Sequence, residues 1–144
     1  EGTYEVPEDL LAKLCALFWA GCCGDAETKQ TIGKIWQEHH YLCDTHTAGA
    51  WNVAQQYKAA NPAHAPVVVL STASPYKFPA AVLSAIGAKG DGDEFDMMSA
   101  LEKATGVPMP ANLRSLRERP VLHTGCVKPG KMRGYVLDLL EGKT

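Results

Sequence analysis

At 144 residues, 46% of them apolar and 21% charged, the chain has the size and composition of one ordinary globular domain. A formal net charge of −2 offers neither a basic field for nucleic acid nor an acidic tail. No apolar run approaches the roughly 20 residues that a membrane-spanning helix needs, and no segment reads as a signal peptide.

The five cysteines are odd in number and lack paired spacing apart from the adjacent Cys22 and Cys23. Neighbours seldom bond to each other, so no disulfide framework is expected, which favours the cytoplasm. Arg114, Arg117, Arg119, Lys128, Lys131 and Arg133 make the last third locally basic. They are not interleaved with aromatics, and a solvated helix face plus loop accounts for them.

In chain order, Pro7-Glu8-Asp9 predicts a helix start, with acids on the positive end of the dipole. Leu10, Leu11, Leu14, Leu17 and Phe18 follow at helical spacing, and Gly21 and Gly24 are read as the stop. Asp25 caps a second helix, with Thr28 three residues on and an inner stripe of Ile32, Ile35 and Trp36. Asp44 or Thr45 caps a third, whose stripe is Thr47, Ala50, Trp51, Ala54 and Tyr57 and which breaks at Asn61-Pro62. "VVVL" at 67–70 is the one strong strand. Pro79 opens a helix that carries Val82, Leu83 and Ile86 to Gly87. "GDGDEF" is a turn into a helix over about Phe95 to Ala104, and a flexible linker is expected near 105–111. Residues 112–118 predict a short helix, "PVLHT" a second, weaker strand, and Gly130 to Leu140 a terminal helix. There is no internal repeat.

Four apolar residues in a row, without alternation, belong to strands covered on both faces, usually in parallel sheets. A lone strand cannot satisfy its own backbone groups. The expected class is therefore α/β: a predominantly helical fragment that contributes one or two strands to the open sheet of a larger protein. Ligands of open α/β sheets gather at the carboxyl ends of strands, where Ser71, Thr72 and Ser74 lie. The plainer alternative is that Ser71 and Thr72 end the strand and Ser74-Pro75 is a turn. Lys77, likewise, is either an exposed lysine or a cation for a bound anion.

A second constellation is "LCDTHTAGAW", residues 42–51. Asp44, Thr45, His46 and Thr47 cluster where a helix begins, and helix N-termini attract anions through unpaired N–H groups. Simple capping explains the same residues, and one histidine near one aspartate is weak evidence of proton transfer. There is no glycine-rich phosphate loop, no GxSxG and no HExxH. His39-His40 and His123 with Cys126 lack matching metal-ligand partners.

Taken together and in order, "YLCDTHTAGAW" and "VVVLSTASPYKF" resemble the C-terminal part of threonine synthase. The family pattern is close to D/E-P-H-T/S-A-V-A, then an apolar strand, then T-A-H-P-A-K-F. The resemblance runs from about Tyr4 to near Leu140 and includes "AETKQTIGKIWQEHHYL". Thr45 stands where the family usually has Pro, Gly49 where Val is common, and Ser74 where His is common, which puts a catalytic role at position 74 in doubt. The family's Schiff-base lysine and cofactor-phosphate loop lie upstream of this region, and no segment here matches them.

The resemblance implies a pyridoxal 5′-phosphate (PLP) enzyme of the tryptophan-synthase-β-like fold, fold type II, acting on O-phosphohomoserine and water to give threonine and phosphate. Residues 1–144 would then be the C-terminal part of one catalytic domain, without an internal boundary and with no catalytic residue of their own. It implies Thr72, with Ser71 as second choice, as the hydroxyl that meets the pyridine nitrogen. It also implies a substrate pocket bordered by Asp44, His46, Thr47 and Lys77. The partner it implies is the missing N-terminal part of the enzyme, with no nucleic acid, membrane or metal, and with self-association through the uncovered apolar surface. The alternative is a non-catalytic helical interaction or regulatory module descended from that enzyme.

Overall fold

The structure, a computed structural model, describes residues 2–63 and 65–143. These residues fall into two compact units, Glu1–Arg114 and Ser115–Thr144. Every regular element in them is helical.

The first unit begins with α1, Glu8–Leu17, entered through Pro7 and carrying Glu8 and Asp9 in its first turn. It ends at Leu17 because Phe18 turns extended, earlier than Gly21 suggests. Helix α2, Asp25–His39, is preceded by Gly24, whose N–H donates to Glu27 Oε2 at 2.8 Å, so Gly24 and not Asp25 is the cap residue. Helix α3, Thr45–Ala60, starts on Asp44 and stops at Asn61, whose side-chain amide bonds the Tyr57 carbonyl at 2.9 Å. A 3₁₀ turn, Pro75–Lys77, leads into α4, Pro79–Ala85, with Pro79 at the first helical position as its fixed φ predicts. Helix α5, Glu94–Thr105, carries a capping box of Asp93 and Asp96 and ends on Gly106 at φ 68°, a left-handed position suited to glycine.

Helix α2 packs along α3 on one side and along α4 on the other, and α5 packs on α4. Ile32 and Ile35 of α2, Val82 and Leu83 of α4, and Met98 and Leu101 of α5 meet in one core, closed by Leu42, Cys43, Ala48, Tyr76 and Met109. Each such aliphatic side chain contributes about 1.5–3 kcal/mol on leaving water. The segment after α5 joins this core. Met109 is buried, its N–H donates to Glu102 Oε1 at 2.8 Å, and the Val107 carbonyl accepts the Tyr76 hydroxyl. Arg114 of the short α6, Ala111–Arg114, bonds the same Glu102 oxygen at 2.5 Å.

The expected α/β class is corrected: the described residues contain no strand and no sheet. A strand exists only when its N–H and C=O groups meet those of a neighbour, and the described chain sets no such neighbour beside Val67–Leu70. That segment has no regular structure and lines a groove with Ala50, Val53, Ala54 and Tyr57 of α3, with Val68 83% and Leu70 73% exposed. "PVLHT" is corrected in the same way, since Val121 and Leu122 lie in an exposed irregular stretch. The stripe expected on α3 is also only partly buried: Thr47 is covered, but Ala50 and Trp51 are exposed. The leucine stripe of α1 is exposed along its whole length.

The second unit holds a 3₁₀ turn at Ser115–Glu118, another at Pro129–Lys131, and α7, Met132–Leu140. Within it, the Tyr135 hydroxyl lies close against Gly125. Met132, Val136 and Leu140 are exposed.

The tightest approach to backbone in the first unit is at Gly33, where an added Cβ would lie 2.6 Å from the Ala85 carbonyl oxygen. Backbone cannot yield as a side-chain tip does, so α2 and α4 would have to separate. Gly33→Ala is expected to destabilise the unit by about 1–3 kcal/mol despite the better helix propensity of alanine. Urea unfolding followed by circular dichroism checks this, and a stabilised variant would contradict the packing.

Candidate functional site

The site is built from the first turn of α3. Asp44 precedes the helix in extended conformation, φ −80° and ψ 172°, which turns its carboxylate back over the unpaired N–H groups. One oxygen, Oδ2, accepts the His46 N–H at 2.9 Å and lies 3.0 Å from His46 Nδ1. The other, Oδ1, accepts the Thr47 N–H at 3.3 Å and the Thr47 hydroxyl. Asp44 is fully buried, and these four donors satisfy it. Burial alone would push its carboxyl up. Hydrogen bonds from the Thr47 hydroxyl, the His46 backbone, the His46 ring and the Thr47 backbone outweigh that and hold it below the ordinary carboxylate range.

Thr47 links this carboxylate to the apolar segment, because its Oγ1 lies 3.2 Å from Ser71 Oγ. Thr47 has one proton and the anionic carboxylate takes it, so the contact is completed by the proton of Ser71. Ser71 in turn accepts from the Tyr41 hydroxyl at 3.2 Å. Tyr41, Ser71, Thr47 and Asp44 thus form one chain of donors that ends on a buried anion. Beside it lies a cavity of about 250 Å³ whose walls include Ile35, Tyr41, Trp51, Val69 and Ser71.

His46 stands on the other side of the carboxylate. Its side chain is 63% exposed, and its ring lies 5.1 Å from that of Phe78, tilted by 53°. It borders a groove of about 360 Å³ together with Asp25, Thr28 and Lys29 of α2, Thr45 of α3 and Ala81 of α4. The first turns of α2 and α3 open on this groove.

Of the six residues read from the sequence, Asp44, His46, Thr47 and Ser71 are therefore brought into one bonded cluster. Thr72 and Lys77 are exposed, and their side chains make no hydrogen bond or ion pair with described residues. The Ser74 side chain caps the 3₁₀ turn by accepting from the Tyr76 N–H at 3.3 Å. Tyr41 and Phe78 were missed. Tyr41 reaches Ser71 across 30 positions, and Phe78 reaches His46 across 32, separations at which local spacing carries no signal. Cys43, next to the cluster, is buried. Burial, then the Asp44 charge, push its thiol up to about 11, so it acts as a small apolar residue and not as a nucleophile. No group of three or more His, Cys, Asp or Glu among the described residues is placed to hold a metal ion.

A buried helix start whose cap, hydroxyls and histidine converge with the hydroxyl end of an apolar segment has the motif order of one enzyme family's carboxyl-terminal region. A family model described as threonine synthase, C-terminal, matches residues 47–126, and the chain belongs to that family. The match begins at Thr47 and takes in Ser71, Thr72 and Lys77, while Asp44 and His46 lie just before it. Among curated proteins, "Threonine synthase-like 2" of Rattus norvegicus is 36% identical over 81 residues, 56% of this chain and 17% of that protein. The proteins of the same name from Pongo abelii and Homo sapiens are each 35% identical over 80 residues, 56% of this chain and 16% of theirs. The chain thus spans less than a fifth of the length of these relatives.

The depressed Asp44 carboxyl has a signed consequence for stability. Its contribution is complete above the ordinary aspartate value of about 3.9 and is lost as pH falls through the lower folded value. Asp44→Ala is expected to cost about 1–3 kcal/mol near neutral pH, through the lost cap and the unpaired Thr47 and His46 donors. The gap between wild type and variant should narrow below about pH 4. Denaturant midpoints measured across the pH range check this, and a gap independent of pH would contradict it.

Proposed function

We propose that this chain is the C-terminal part of a threonine synthase, a PLP-dependent lyase that converts O-phosphohomoserine and water into threonine and phosphate. The observation that carries the reading is the family match over residues 47–126, which starts inside the bonded cluster of Asp44, His46, Thr47 and Ser71. In this reading the start of α3 borders the substrate pocket.

The donor set fits the cofactor in part. Thr72 has an exposed hydroxyl that no described residue uses. Ser71 is already engaged by Tyr41 and Thr47. Thr72 is therefore the hydroxyl left to meet the pyridine nitrogen, and Ser71 the one that holds the segment on α3. When bound, the cofactor supplies the electron sink for carbanion chemistry. A neutral hydroxyl accommodates the ring nitrogen without fixing a proton on it as a carboxylate would. Lys77, exposed after the 3₁₀ turn, offers a point charge on a flexible stem to a substrate phosphate.

The partner this reading needs is the N-terminal part of the same enzyme. Its support is the apolar surface left open on the first unit: the leucines of α1 and a groove of about 440 Å³ among Leu17, Trp19, Val53, Tyr57 and Val67–Leu70. Without that partner the chain would self-associate through the same surface. A cytoplasmic location goes with the reading, supported by five cysteines that are all free.

The chain alone is expected to make no threonine and to form no stoichiometric lysine–cofactor adduct after borohydride trapping. Phosphate release should appear when the N-terminal part is supplied. A specific adduct on one lysine of the isolated chain would overturn the fragment reading. Absence of any turnover in the assembled protein would favour a non-catalytic module.

In the assembled enzyme, Thr72→Val should lower turnover about 2- to 10-fold, the worth of one neutral hydrogen bond, with the fold retained. Lys77→Met should raise KM about 10-fold if it binds substrate in the ground state. Unchanged kinetics in both variants would remove these residues from the site.

A further inference from the structure

We propose that Asp44 is a positioning residue that fixes His46 as the Nδ1–H tautomer. The Nε2 lone pair is then presented to the groove between α2, α3 and α4, as the acceptor for a hydroxyl or ammonium group of the ligand. The pocket role of that groove rests on the threonine synthase reading; the tautomer rests on the geometry of this chain alone.

Asp44 is fully buried, and both of its oxygens are taken by Thr47 and His46, so it has no surface with which to touch a ligand itself. Whatever it does for a ligand passes through the residues it holds. It accepts two backbone N–H groups and the Thr47 hydroxyl, and a carboxyl that accepts from so many donors is ionised and has no proton of its own to give. The His46 Nδ1 atom, 3.0 Å from Oδ2, must therefore be the protonated nitrogen of the neutral ring. Nε2, across the ring from the buried carboxylate, is left with its lone pair and has no partner among the described residues.

Two further contacts hold the ring in place. The Phe78 ring lies beside it, 5.1 Å between centroids and tilted by 53°. The His46 backbone N–H is bound to the same Oδ2 as the ring, which closes a short loop that limits rotation. The charged groups bordering the groove are Asp25 and Lys29, both from α2; α4 contributes only Ala81. With hydroxyls from Thr28 and Thr45, the groove offers one cation, one anion and a neutral acceptor, a set suited to a small zwitterion. An aspartate behind a histidine is the usual means of orienting an imidazole whose far nitrogen faces a ligand.

The test is a long-range ¹⁵N–¹H spectrum of the imidazole-labelled chain at mildly basic pH, where Nδ1–H and Nε2–H tautomers give distinct patterns of nitrogen shifts. Wild-type His46 should show a protonated-type Nδ1 and a bare-type Nε2. Asp44→Asn, which keeps the shape but loses the charge, should shift His46 toward the tautomer mixture of a free imidazole. Thr47→Val removes the other side-chain bond on Asp44; it should lower stability and leave the His46 pattern unchanged. An Nε2–H pattern in wild type, or an unchanged pattern in a folded Asp44→Asn, overturns the proposal. If the Asn variant does not fold, the wild-type spectrum still decides.

The role toward the ligand is read separately in the assembled enzyme. There, His46→Gln and Asp44→Asn should each reduce kcat/KM for O-phosphohomoserine at least 10-fold. Intact kinetics with the expected tautomer would sink the groove as a substrate site while leaving the Asp44–His46 geometry standing. Loss of wild-type activity itself would mark failure of the threonine synthase reading.

Discussion

The buried carboxylate of Asp44 is the constraint on which the first unit's polar architecture turns. A charge placed fully out of water is tolerated only when its lone pairs are filled, and four donors fill them here. Two of those donors, the His46 and Thr47 N–H groups, are ones that α3 would otherwise leave unpaired at its amino end. One side chain therefore starts the helix, fixes the Thr47 hydroxyl and aligns the His46 ring. Through Thr47 and Ser71 it also ties down the carboxyl end of a segment about 24 residues later in the chain, so the capping network spans two distant stretches of sequence.

Around this point the packing is uneven. The core between α2, α4 and α5 is closed, with Gly33 allowing the backbones of α2 and α4 into near contact. On the outer side of α3 the apolar residues are not closed over: Trp19 meets Tyr57 edge to face at 5.6 Å, but Val67, Val68 and Leu70 remain open to solvent beside them. Soluble proteins seldom leave contiguous apolar surface of this kind without a covering partner. The closed side carries the helices that position the cluster, while the open side carries apolar residues that no described residue covers.

Legibility in the sequence followed the range of the physics. Asp44 as a cap, Pro79 as a first helical residue and the Ile32–Ile35 stripe depend on neighbours within a turn or two, and each stands where the spacing puts it. The carboxyl end of α1 and the cap of α2 differ from the sequence reading because Phe18 turns extended before any glycine is reached, and because Glu27 serves Gly24 directly. The apolar run at 67–70 carries the composition of a buried strand, but composition cannot supply the neighbour whose backbone would complete it. Among the described residues no strand forms beside it, and the run has no regular structure.

The sequence by itself determined the helices with strong local caps and apolar period, the cluster Asp44–Thr47 at a helix start, and the motif pair that places the chain in the threonine synthase family. These are properties of residues within a few turns of one another, or of their order. Only the tertiary structure decided that Ser71 and not Thr72 is bound to the cluster, that Tyr41 and Phe78 belong beside it, and that Asp44 faces inward with no surface for a ligand. Each of those facts depends on contacts across roughly 20 to 30 positions. Such contacts follow from how α2, α3 and α4 pack, and no local spacing encodes them.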